Sequence, residues 1–95
     1  MLIAVTDHAQ ERFRQRVHGT LDPRTEIAAR VARAHAAGRV QAGERGTLLV
    51  RDERNRELVY VCRPEGEELV VITLWEEGES AAVPRRFTDV LRGPR

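Results

Sequence analysis

Ninety-five residues with 41% apolar and 33% charged side chains suit one globular domain, spanning 1–95, and leave little room for a second. The longest apolar runs, such as 69–74, fall far short of the roughly 20 residues a membrane-spanning helix needs. No leader joins a basic region to an apolar stretch and a cleavage site, so a cytoplasmic protein without a membrane role is expected. All basic residues are arginine, sixteen against fifteen acids for a net charge of +1. That usage fits either a GC-rich genome or a thermophile protein rich in ion pairs.

The charge is segregated. Residues 1–39 carry seven arginines against four acids, 40–80 five against ten, and 81–95 four against one. If the two basic ends meet, they form a positive face suited to phosphate; otherwise they are solvated surfaces. The single cysteine, Cys62, lies in an apolar run and reads as a small buried hydrophobe.

Residues 2–5 are apolar and predict a short strand or lead-in. Asp7 follows as a helix cap with Gln10 as its capping-box partner, and a helix over about 7–18 ends near Gly19. A second helix starts at the cap Asp22, takes Pro23 into its first turn and stops at Gly38. Its alanine-rich body buries Ile27, Val31 and Ala34 as a stripe.

After Gly38 the apolar period changes to two. The runs TLLVRD, ELVYVCR and ELVVITLW, separated by the turn clusters ERNR and PEGE, predict an antiparallel meander of three to five strands. The last run is apolar at alternate positions of both sets, Leu69, Val71, Thr73 and Trp75 against Val70, Ile72 and Leu74, as in an interior strand. Residues 76–80 read as a loop, and 83–91 as an edge strand or helical turn within a basic C-terminal segment, 81–95. The fold class is α+β, with two N-terminal helices packed on one face of the sheet. The other face is left to a homodimer, a bound partner or the C-terminal segment.

The first helix carries the most pointed chemistry. His8, Arg12 and Arg16 recur one turn apart and form a ridge beside the apolar ridge of Ala9, Phe13 and Val17, which would anchor the helix on the sheet. Two guanidinium forks held this way suit a phosphodiester. An imidazole next to them can accept the proton of a ribose 2′-hydroxyl. The competing reading is a face of ion pairs with Glu11 or with acids of the sheet. Arg85 and Arg86 precede Phe87, a weak nucleic-acid signal that marks them as binding candidates. Tyr60 packs in its strand while its hydroxyl could reach a site at the sheet surface, and Trp75 reads as a core or rim residue. His18 and His35 read as structural or surface residues. No spacing suits a metal, and no glycine-rich phosphate loop is present, so neither metal nor cofactor is expected.

Taken together, the opening TDHAQERFRQRV, with its His-Ala-x-x-Arg-x-x-x-Arg pattern, the alanine-rich second helix and the closing VVITLW resemble the RelE/ParE-like toxin superfamily of small bacterial proteins. The likeness covers about residues 3–76 and lies nearest the branch that opens with a His-Ala helix and ends on an Ile-Thr-Val-Tyr-like strand. It implies two helices on a curved antiparallel sheet, RNA cleavage often on the ribosome, and an antitoxin as partner. Other branches act on a topoisomerase or have lost catalysis. His8, Arg12 and Arg16 then fall on the helix motif and Thr73 on the threonine of the last strand. Trp75 stands where the pattern prefers tyrosine, so no hydroxyl is available there as an acid. The acidic run over 64–80 departs from the basic surface of a ribosome-dependent nuclease. The expectation is a metal-independent ribonuclease-like protein of toxin type, or a non-catalytic relative that binds a protein as a regulator or phage-type inhibitor.

Overall fold

The computed structural model describes residues 1–77. The chain runs β1 (Leu2–Val5), α1 (Asp7–Arg16), α2 (Pro23–Ala36), β2 (Val40–Ala42), β3 (Leu48–Arg51), β4 (Leu58–Glu65) and β5 (Glu68–Glu76). Among these residues one five-stranded sheet has the order β1-β5-β4-β3-β2, and the helices precede its main run, giving the expected α+β class. From β2 to β5 the strands form an antiparallel meander, but β1 joins β5 in parallel, so the sheet is mixed. The short β2 and the continuation of β5 through Glu76 are additions to the sequence reading.

Local chemistry explains the helix limits. The N-cap of α1 is Thr6, not Asp7: its hydroxyl accepts from the Ala9 amide, while Asp7 is the first helical residue and lies in the turn where a negative charge is favoured. Gln10 is no capping partner, and its Nε2 is buried without a hydrogen-bond partner. For α2, Asp22 caps the Thr25 amide and Pro23 opens the helix. Its C-terminus is closed by Gly38 at φ 77, whose amide donates to the His35 carbonyl while Arg39 donates to that of Ala34. That paired arrangement satisfies the last carbonyls and requires a left-handed residue.

The core lies between the helices and one face of the sheet. Ala9, Phe13, Ile27, Val31 and Ala34 pack against Val50, Leu58, Tyr60, Cys62, Leu69, Val71 and Leu74, with Val17 partly buried at the margin. Burial pushes the Cys62 thiol up to about 12, as suits an inert core residue.

The alternation in β5 breaks in its middle. Val61 faces Thr73 but Cys62 faces Val71, leaving Ile72 as an extra residue in a bulge. Leu69 and Val71 therefore share the core face with Leu74, and the expected grouping of Leu69 and Val71 with Thr73 and Trp75 is corrected. Strict period-two reading fails because one inserted residue inverts every side chain beyond it.

Candidate functional site on the first helix

Strand β1 covers β5 only as far as Val71, so the carbonyls beyond it need other donors. The Thr6 amide donates to Val71 O at 3.1 Å, and the Thr6 hydroxyl donates to Ile72 O at 2.8 Å. Arg12 Nε then donates to Leu74 O at 3.3 Å, and Arg16 Nε stands 3.6 Å from a Glu76 carboxylate oxygen. Thus α1 completes the edge that β1 leaves open.

The spacing follows from element geometry. Four helical residues advance roughly 6 Å, and two strand residues advance about 6.6–6.8 Å. A ridge with side chains one turn apart therefore meets alternate residues of a neighbouring strand, here Leu74 and Glu76. His8, one turn earlier, is exposed, and its side chain makes no hydrogen bond or ion pair with a described residue. The ridge thus divides into two arginines held against β5 and an imidazole presented to solvent.

The other candidates do not converge there. Thr73 pairs with Val61, which pairs in turn with Leu49, on the sheet face opposite Val50, Tyr60 and Leu74. The Tyr60 hydroxyl does not reach a sheet surface; it is buried and donates to Asp52 Oδ1 at 2.7 Å. Arg85 and Arg86 lie outside the described residues. Among those described, no three His, Cys, Asp or Glu side chains gather as metal ligands would, and no helix is long and apolar enough to cross a membrane.

Asp52 is the polar centre that sequence reading missed. Only 1% exposed, it accepts from the Arg54 and Asn55 amides at 2.9 and 2.8 Å, from Tyr60, and from Arg30 Nη1 at 3.4 Å. Arg30 also donates to Glu26 at 2.8 Å and lies 5.5 Å from the centre of the Phe13 ring. Burial opposes the guanidinium charge, but the Glu26 hydrogen bond and the charge of Asp52 outweigh it and raise the Arg30 pKa. Burial, with the hydrogen bond to Asp52, raises that of Tyr60. The available signal was an aspartate directly after an apolar strand and before a polar turn, where its carboxylate can accept the turn's amides.

On the opposite sheet face, Arg39, Leu49, Arg51, Val59 and Trp75 line an open groove of about 440 Å³. Arg51 holds Glu77 there through two bonds of 2.9 and 3.3 Å. Comparison of the chain with family models, curated proteins and solved structures gives no match.

Proposed function

We propose that the protein is an RNA-directed, metal-independent ribonuclease-like protein of toxin type, acting at the α1 ridge in a cytoplasmic setting. The observation that carries this reading is His8, whose exposed side chain bonds no described residue, one turn from an arginine anchored to Leu74. His8 takes the proton of a ribose 2′-hydroxyl, whose oxygen attacks the adjacent phosphorus. The 5′-oxygen leaves with a proton from solvent, and a 2′,3′-cyclic phosphate forms. Arg12 and Arg16 supply fixed positive charge for the phosphodiester. Two helices packed on a sheet agree with the architecture that the resemblance to RelE/ParE-like toxins implies, and an antitoxin is the partner that reading expects. Arg85 and Arg86 are its further RNA contacts.

The test is labelled single-stranded RNA alone in excess EDTA and, separately, on ribosomes in magnesium buffer, comparing wild type with His8→Ala. Cleavage to 2′,3′-cyclic ends that disappears in the variant, at unchanged thermal stability, is the expected result. Equal cleavage by both proteins removes His8 from the chemistry. The second reading, a non-catalytic protein-binding regulator, is favoured by the engagement of both ridge arginines with β5. Absence of cleavage under every condition selects it.

A further inference from the structure

The two sheet edges differ in how they are guarded. The β2 edge is three residues long and carries the polar Gln41, with Arg39 just before it. Short length and polar side chains are common protections against pairing with another chain. The β1 edge, Leu-Ile-Ala-Val, has no charge, no proline and no bulge. The amides of Leu2 and Thr6 donate to Glu67 and Val71 of the β5 side. Alternation then turns the amides and carbonyls of Ile3 and Val5 outward, where no described residue bonds to them.

A pocket of about 450 Å³ opens beside the start of this strand, lined by Leu2, Leu48, Pro64 and Leu69 and by the polar His35, Glu67 and Glu68. Leu2 is 70% exposed. Neither glutamate is in an ion pair with a described residue, although arginines engage Glu26, Asp52, Glu65, Glu76 and Glu77.

We propose that the β1 edge is a docking site for an extended segment of a partner protein that carries both apolar and basic residues and adds as a sixth strand. Ile3 and Val5 supply the backbone pairing, and the Leu2 pocket takes an apolar side chain. A strand added there lies about 9–10 Å from β5, within the combined reach of an arginine and Glu68. Charge argues against a second copy as occupant. Antiparallel pairing of two β1 strands sets the Glu67 and Glu68 end of one against the Asp7 end of the other, and like charges oppose that register. This surface is separate from the α1 ridge and holds whichever reading of the ridge is correct.

The test uses capped hexapeptides of alternating valine and arginine as probes, followed by amide NMR on the full chain. The expected result is saturable binding, with shifts and slowed exchange at Ile3 and Val5. Glu67→Gln with Glu68→Gln weakens it roughly threefold to tenfold, since each exposed pair contributes modestly. A peptide with N-methylated valines should not bind, because strand pairing needs its amides. Equal binding of a valine–glutamate peptide, shifts confined to Val40–Ala42, or no shift at millimolar peptide overturns the proposal. So does concentration-dependent protection of Ile3 and Val5 without peptide, which would make a second copy the occupant.

Discussion

Two helices present arginine to the sheet in opposite ways. On α2, Arg30 is drawn between Glu26 and a fully enclosed Asp52, over the Phe13 ring. On α1, Arg12 and Arg16 lie along the rim of β5, one reaching a carbonyl and the other a carboxylate. The α1 arginines attract attention in the sequence because they form a series. Arg30 has no series and sits in an alanine-rich helix, yet it is the one paired with a fully enclosed carboxylate: its side chain is 12% exposed and that of Arg16 14%, but Asp52 is 1% exposed and Glu76 29%. A pair whose carboxylate is fully enclosed is costly to break, whereas one whose carboxylate is partly exposed, as Glu76 is, can admit water or a phosphate in its place.

The sharpest way to break this contrast is Asp52→Ala. It leaves the Arg30 guanidinium short of a carboxylate and orphans the Tyr60 hydroxyl and two backbone amides. A loss of about 3–5 kcal/mol is expected from uncovering one member of a buried pair. Urea unfolding measures it, and a loss below about 1 kcal/mol would show that water replaces the carboxylate readily.

A smaller effect comes from the hydroxyl alone. Tyr60→Phe should cost about 1–2 kcal/mol at neutral pH by leaving Asp52 short of a donor. The pH dependence gives a second readout. The folded-state pKa of Tyr60 is raised, so its contribution is complete below the ordinary tyrosine value and falls as pH rises above about 10. Cys62 adds a like loss between 9.0 and about 12. Chemical unfolding from pH 8 to 11 should therefore show declining stability in the wild type and a shallower decline in Tyr60→Phe. Parallel curves would mean that Tyr60 titrates as freely in the fold as in the unfolded chain.

The same division governs what could be read in advance. Asp22, Pro23 and Gly38 mark α2 by local chemistry, and Ile27, Val31 and Ala34 mark its buried stripe, because cap and period act within a few residues of one another. The parallel pairing of β1 with β5 joins residues more than sixty positions apart, and no local pattern encodes it. The Ile72 bulge is equally hidden, since an inserted residue in an all-apolar strand leaves no mark on composition. For the site, the spacing of His8, Arg12 and Arg16 was legible, but the role of that spacing in completing the β5 edge was not. It depends on where β1 stops, a fact of pairing and not of the helix. The alternation shows that Tyr60 packs in its strand, but not that its hydroxyl ends on Asp52 and not at the sheet surface, because Asp52 enters from the end of another strand.

The finest distinction rests on Arg16→Met, which keeps much of the stem's packing and removes the charge. With the Arg16 side chain 14% exposed beside a Glu76 carboxylate that is 29% exposed, it should cost about 1–2 kcal/mol in urea unfolding, more than an open surface pair and less than Asp52→Ala. If the ridge also contacts RNA, the variant should bind single-stranded RNA with a salt dependence shallower by about 0.7 in log K against log salt, the share of one phosphate. Arg16→Lys should restore most of that slope, because slope counts charge, while recovering less affinity, because a planar fork is lost. A stability loss of several kcal/mol with an unchanged salt slope would place Arg16 with Arg30 as part of the interior. The ridge would then be a device for finishing the sheet, with His8 alone left for chemistry.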